Sequence, residues 1–432
     1  RGMRDFGRET VGRDVDKLAD GTGVVVLTYE DLSLDQREMA VAAVSEHAGT
    51  SIYIRTVSGG RIGVSATSDP TRWKECLSAA VSSARLAEPV DGWTGLPCPA
   101  VLPAGDDPFD PHLAIDPDSA ALLLARMNEG ATAHPESRVV TAGVSLSKGS
   151  STLANSHGVW YERRMTGVSL GLDAIADGST SYEYDVSPFL SRIDPEKMGE
   201  QTAFLAAASR NGVAVPTGRQ DVVLSEHVVD SLILELFTES INGRNVLTGK
   251  SVFSEKLGET VAAPSFSIAD VPMDPKGNSM RRFDTEGTPS SRCSILENGV
   301  LSSFLYDCKT AAQAGTASTG HALRGGNGAT YISPHCLRVS GTVADVTKDP
   351  CLFVREVIGA HTANPLTGEF SVEVANAFLM EDGEFVQPVK KAMIAGNVFE
   401  ILQQIDGISA ETKVFDGAIV PKMRIPSMQV IG

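Results

Sequence analysis

Glu226-His227-Val228-Val229-Asp230-Ser231 places two carboxylates and an imidazole within six residues. A helical zinc site needs more than this. Two imidazoles a turn apart must hold the ion, and a glutamate beside the first must activate its water. No histidine in the sequence is followed by glutamate, so neither H-E-x-x-H nor H-E-x-x-x-H occurs. His227 alone reads as a partly exposed helix residue, its charged form favoured by Glu226 and Asp230. His321, His335 and His361 are dispersed and lack ligand spacing. Gly249-Lys250-Ser251 resembles the end of a phosphate loop, but Arg244 stands where that motif needs its first glycine, and a helix rather than a strand precedes it. No Gly-x-Ser-x-Gly marks a serine nucleophile. Cys308 follows Asp307, a candidate helix N-cap, where the helix dipole lowers a thiol pKa. No base accompanies it, and burial is the simpler reading. The six cysteines, Cys76, Cys98, Cys293, Cys308, Cys336 and Cys351, form no C-x-x-C and read as reduced, mostly buried thiols.

These residues need elements to position them. In the run 283–328, two apolar segments, 293–296 and 300–305, flank Asn298-Gly299, a hairpin signal because both residues tolerate the positive φ of a type I′ turn. Asp307 then caps a short helix, 308–314, that Gly315 ends. The polar, Gly-rich loop 316–330 follows, carrying His321 and Arg324; it borders a binding site or is simply surface. Asp69-Pro70, Asp116-Pro117 and Asp194-Pro195 each open a helical stretch, near 71–87, 117–131 and 196–211. In the first, Trp73, Cys76, Leu77, Ala80, Val81 and Ala84 make one apolar stripe. Around Val15 and Leu18 a short amphipathic helix is expected within 4–20, and 36–47 fits either a strand or a helix. Strands are expected at 23–29, at 51–57 with 61–66 as a hairpin, at 139–146 and at 168–174. Pro216-Thr217-Gly218 breaks the chain. A strand at 221–224 and a helix buried through Val228, Val229, Leu232, Ile233 and Leu236 come next. Short strands then dominate, with a hairpin turn at Asp382-Gly383, a last helix at 398–405 and a final strand at 428–431.

The bulk numbers narrow the function. A chain of 432 residues exceeds one ordinary core. With 42 % hydrophobic and 21 % charged residues it is globular. Its net charge of −17, without a Lys/Arg cluster, argues against direct nucleic-acid binding. No apolar run is long enough to span a membrane and no leader pattern opens the sequence, so a cytoplasmic protein is expected.

Four further motifs occur in order: Gly60-Arg61-Ile62-Gly63-Val64-Ser65-Ala66-Thr67, Asn155-Ser156-His157-Gly158, Asn364-Pro365-Leu366-Thr367-Gly368-Glu369-Phe370-Ser371, and Ala395-Gly396-Asn397. Together with the 283–328 run they cover nearly the full length and resemble the TldD/PmbA (TldD/TldE) family, a set of cytoplasmic metallopeptidases and partner subunits also labelled modulators of DNA gyrase. The resemblance implies an α+β fold in two domains. The first, 1–216, is an N-terminal α/β domain of hairpins and helices; the second, 217–432, is C-terminal, β-rich and barrel-like.

The family's peptidase subunit carries H-E-x-x-x-H in the region matching 226–231 and a late cysteine. In register this chain has Glu226, His227 and Ser231, and no cysteine follows Cys351. The resemblance therefore implies a PmbA/TldE-type subunit with no catalytic residue and no metal of its own. A TldD-like metallopeptidase partner would supply zinc and general base in a heterodimer that cleaves short or unfolded peptides. Arg244, Asn245, His321, Arg324 and Asn364, in motif-bearing loops, line the peptide cavity or merely stabilise turns. Two other readings stay open: a self-standing homodimeric peptide-binding or scaffold protein without catalysis, and an enzyme with a different metal site.

Overall fold

The computed structural model describes residues 20–432. The amphipathic segment around Val15 and Leu18 lies outside the described residues.

Six long strands build the first sheet: β1 (Gly21–Arg37), β2 (Ala40–Ser58), β3 (Arg61–Thr67), β4 (Arg138–Asn155), β5 (Trp160–Ala176) and β6 (Ser179–Ser187). Their order is β3-β2-β1-β4-β5-β6, and every neighbouring pair is antiparallel. The ambiguous stretch 36–47 is strand, because Glu38 and Met39 adopt positive φ and turn β1 back onto itself as β2. Three helices cover one face: α1 (Trp73–Leu86), α2 (Pro117–Ala131) and α3 (Pro195–Ala208). Each Asp-Pro start caps as expected, Asp116 accepting from Ser119 N and Asp194 from Lys197 N. Asp69 differs slightly, capping a single 3₁₀ turn, Pro70–Arg72, that leads into α1. Strict alternation in β5 buries Val168, Leu170, Leu172 and Ala174 against α2 and α3, each larger side chain contributing roughly 1.5–3 kcal/mol. α1 packs on β2 and β3 through a smaller cluster with Cys76, Leu77 and Ala80. That docking needs Gly63, where a Cβ would sit 2.0 Å from the Ala80 carbonyl oxygen.

The second lobe begins at β7 (Gly218–Leu224). Next along the chain are β8 (Ser267–Asp270), β9 (Cys293–Glu297), β10 (Val300–Leu301), β11 (Ala322–Arg324), β12 (Thr330–Ile332), β13 (Leu337–Ser340) and β14 (Cys351–Ile358). The last five are β15 (Glu369–Glu381), β16 (Glu384–Val389), β17 (Met393–Asn397), β18 (Gly407–Val414) and β19 (Ala418–Ile431). Strands β7, β14, β15, β17 and β19 close on themselves as a five-stranded barrel, since β19 pairs with both β17 and β7. Beyond it β13, β8, β9 and β10 extend the sheet. The fold is thus α+β, with a barrel in its C-terminal half.

β19 is much longer than the strand expected at 428–431. Pro421 and Pro426 hide it, because proline withholds a ladder hydrogen bond; a register shift between Ile425 and Met428 absorbs the second. The Asn298-Gly299 turn has φ of 50° and 81°, but β10 is short because the chain leaves the sheet after Leu301.

The helix expected after β7 runs as Glu226–Val228, a wider π-helical turn Val229–Leu234, and Glu235–Ile241, here together α4. Val228, Val229, Leu232, Ile233, Phe237 and Ile241 are all fully buried. A helix apolar on nearly every side belongs in a core, and α4 packs in the core of the barrel lobe.

Candidate functional site

The lobes meet along a polar seam. Arg192 donates to the carbonyls of Pro275, Lys276 and Gly277, Arg163 Nη2 to Met280 O at 2.9 Å, and Asn278 Nδ2 to Val186 O at 2.6 Å. Arg55 of β2 and Glu286 form a buried ion pair across the same seam.

Within the seam lies a cleft of about 590 Å³. β6 and α3 wall it from the first lobe; the start of α4, β14, β16 and β18 wall it from the second. Ser225 fixes the start of α4. Its Oγ accepts from Val228 N at 3.3 Å and donates to Arg355 O at 2.6 Å, tying the helix N-terminus to β14. This holds Glu226 and His227 at the cleft wall.

His227 is buried, at 5 % exposure, which corrects the expectation of a partly exposed helix residue. Tyr184 and Phe415 meet its ring edge-on at 5.5 and 5.2 Å. Its charge partner is neither Glu226 nor Asp230 but Glu183 of β6, whose Oε1 lies 3.1 Å from His227 Nε2. Arg355 also contacts Glu183, and Lys413 Nζ donates to its Oε1 at 2.8 Å. Burial works to raise the Glu183 carboxyl, but the His227 contact and the Arg355 and Lys413 charges outweigh it and hold it far below the usual carboxylate range. Burial pulls His227 below the ordinary imidazole value; Glu183 opposes this, while Arg355 and Lys413 add to it. The favoured state is neutral, the reverse of the sequence expectation.

This arrangement does not fit zinc. Glu226 Oε1 faces Lys422 Nζ at 3.5 Å, Ser231 is exposed, and the one imidazole stands against a carboxylate already shared by two cations. A dication here would sit among fixed positive charge without a second imidazole or a thiolate.

Among the described residues, Asp270, His321 and His335 have ligand atoms within 4.8 Å of one another, all buried. Most of their polar atoms are in use. His321 Nε2 bonds Asp270 Oδ2 at 2.9 Å and its Nδ1 meets Thr319 Oγ1 at 2.8 Å. Asp270 Oδ1 accepts from the amides of His335 and Cys336, and His335 Nε2 donates to Gly320 O at 2.7 Å. The two rings stack at 5.0 Å. Burial pushes His335 down to about 3, with Asp270 opposing and His321 adding. The cluster latches β8 to the 319–321 turn and to the entry of β13.

The five polar loop residues are placed apart from the cleft. His321 is fully buried in the latch, so it faces no open cavity. Arg244 Nη2 lies 3.7 Å from Asp307 Oδ2 and Asn245 donates to Glu239. Arg324 donates to Thr285 O and Gly328 O. Asn364 accepts from Leu366 N and Thr367 N, holding its own turn. None of the five borders the cleft. Arg355 and Lys413, which line it, and the buried Glu183 that they share carry no local motif.

Cys308 does begin a helix, α6 after a short α5 (Gly243–Leu247), and α6 is Cys308–Ala314. Burial nevertheless pushes its thiol up to about 11, with Asp284 adding to it.

Residues 217–432 match the PmbA/TldA metallopeptidase C-terminal domain and residues 110–210 the central domain of the same family. An uncharacterized protein of Methanocaldococcus jannaschii is 31 % identical over 291 residues, 66 % of this chain and 69 % of that protein. The metalloprotease PmbA of Escherichia coli O157:H7 is 26 % identical over 427 residues, 96 % of this chain and 93 % of that protein. The crystal structure of TldE from Thermococcus kodakarensis superposes with a TM-score of 0.89 at 23 % identity, covering 100 % of both chains. At that identity the likeness shows the fold. No helix among the described residues is long and apolar enough to cross a membrane.

Proposed function

The chain belongs to the PmbA/TldD metallopeptidase family, and on that premise we propose that it is the TldE-type, non-metal subunit of a cytoplasmic TldD/TldE-like peptidase. A TldD-like partner supplies the zinc and the general base that hydrolyse short or unfolded peptides. This chain contributes no ligand; it stabilises the complex and presents the interlobe cleft to peptide. One observation carries the reading. In the register of the family's metal helix, His227 is packed against Glu183 between Arg355 and Lys413, and Ser231 is exposed.

The test is reconstitution. This chain and a TldD-like chain from the same source are purified separately and mixed, and hydrolysis of a casein digest is followed by release of free amines. Activity is expected only with the partner present. Full activity from this chain alone, undiminished by chelator, overturns the proposal.

A second reading, a homodimeric peptide-binding protein without catalysis, uses the same cleft, which combines basic and aromatic side chains. Sedimentation of the mixture separates the two: the first predicts a heterodimer at micromolar concentration, the second only homodimers.

A further inference from the structure

The interlobe cleft is cationic in a strongly acidic chain. Among the described residues, six basic side chains line it against two carboxylates, Asp185 and Glu226. Several of these charges are matched: Lys422 faces Glu226, and Lys413 is spent on Glu183. Lys197 and Lys276 have no carboxylate within ion-pair distance among the described residues. Among the described residues, Arg192 donates only to backbone carbonyls.

Arg355 gives the sharper sign. Its side chain is 8 % exposed, its Nη2 is bound to Glu183, and its Nη1 has no hydrogen-bond partner among the described residues. A buried guanidinium N–H without an acceptor is costly. Nη1 itself is closed off from solvent, but it belongs to a residue lining an open cleft, so a small turn of the guanidinium brings it to a ligand oxygen. The fork geometry of a guanidinium suits a planar carboxylate.

Aromatic side chains line the same cleft. Phe204 and Phe385 stack at 6.2 Å and remain 37 % and 39 % exposed. Phe353 continues the stack behind Phe385 at 6.1 Å. A cleft that joins an unsatisfied guanidinium to an exposed pair of rings suits a carboxylate attached to an apolar side chain.

We propose that this cleft binds the C-terminal carboxylate of a peptide ending in a large apolar residue, with Arg355 Nη1 as donor, Lys197 and Lys276 as the electrostatic mouth, and Phe204 and Phe385 receiving the side chain. The proposal rests on the peptide-cleft reading above, but its test is binding by this chain alone and involves no hydrolysis.

The experiment is calorimetric titration of the purified full chain with N-acetyl-Ala-Ala-Phe, with its C-terminal amide, and with inorganic phosphate. The acid is expected to bind about tenfold or more tighter than the amide, the difference one charge-assisted hydrogen bond makes. Arg355→Gln should erase that difference. Because Arg355 also holds Glu183, a second variant keeps the test open if the first does not fold. Lys197→Gln with Lys276→Gln removes only exposed charge, and should weaken the acid about threefold while leaving the amide unchanged. Lys250→Gln, outside the cleft, should change neither. No binding of the acid, equal affinity for acid and amide, or phosphate binding more tightly than the acid would overturn the assignment. If the acid is preferred but reconstitution with a TldD-like partner yields no peptidase, the carboxylate site stands and the proposed function falls.

Discussion

His227 Nε2 lies 3.1 Å from Glu183 Oε1 across the boundary between the lobes. Glu183 is the shared anion for His227, Arg355 and Lys413, and it is 2 % exposed. Replacing it by Gln leaves two buried or half-buried cations short of an acceptor. The expected loss is on the order of 3–5 kcal/mol, read as a lower urea midpoint. A shift equivalent to less than about 1 kcal/mol would show that the seam is not held here. The folded carboxyl is held below its ordinary 4.5, so its contribution is fully present above that pH and drains away as pH falls below it.

Writing the family's metal motif back into α4 should not by itself create a metal site. The substitutions Glu226→His, His227→Glu and Ser231→His restore H-E-x-x-x-H in register, but Arg355 and Lys413 still border it and no late thiolate is present. Elemental analysis after extensive dialysis should find well under one zinc per chain in both the wild type and the variant. Stoichiometric, tightly held zinc in the wild type would contradict the geometry at His227, and would direct attention to Asp270, His321 and His335.

The latch makes its own statement about pH. His335 is pushed from 6.5 down to about 3 by burial. Its depressed folded value means the unfolded chain takes up a proton first. Stability from this ring is therefore complete above 6.5 and is lost as pH falls from there towards 3, on the order of a few kcal/mol in total. Nitrogen-15 NMR of the ring should show it neutral at pH 5.5. Ordinary titration near 6.5 would mean that the latch is solvated in solution.

The thiols should separate cleanly. Cys98 is exposed, whereas burial pushes Cys308 up to about 11 and Cys336 up to about 12. With iodoacetamide at pH 8 on the native chain, Cys98 should alkylate first, and Cys308 and Cys336 at least about a hundredfold more slowly, because the thiolate is the reacting form. Mass spectrometry of tryptic peptides gives the order. Rapid labelling of Cys308 would point to an open α6 and a usable nucleophile.

Gly63→Ala should undock α1. Its Cβ would fall 2.0 Å from Ala80 O and 2.3 Å from Ala84 N, both backbone atoms that cannot rotate away. An overpacking cost of about 1–3 kcal/mol or more is expected, visible as a lower melting temperature. Gly59, with positive φ but nothing within 4 Å of its Cβ, should tolerate Ala with a smaller loss.

Local chemistry was legible and convergence was not. The caps at Asp116, Asp194 and Asp307, the turn at Asn298-Gly299 and the left-handed Gly315 were all readable, because each depends on neighbours in sequence. The cleft floor joins β6, α4, β14 and β18, and no spacing rule links Glu183 to Arg355 or Lys413. The pattern even misleads. In Ser181-Tyr182-Glu183-Tyr184 the tyrosines look like the buried face, yet Tyr182 is 41 % exposed and Glu183 is 2 % exposed. His227 misled in the same way, since its partner comes from another lobe rather than from its own helix. The π turn in α4 shifts the register of side chains without any residue that announces it.

Closure of the barrel joins the first strand of its lobe to the last: β7, at 218–224, pairs with β19, at 423–430. During synthesis the first sheet can complete itself as soon as β6 has left the ribosome, since all its partners precede it. The barrel has no such option. Its first strand must wait for roughly two hundred residues before its antiparallel neighbour exists, with the apolar face of α4 unprotected meanwhile. A ribosome that stalls before β19 would therefore release a chain with one finished lobe and several open sheet edges, at β7, β13 and β17. Such a half-made chain is a natural client for a chaperone.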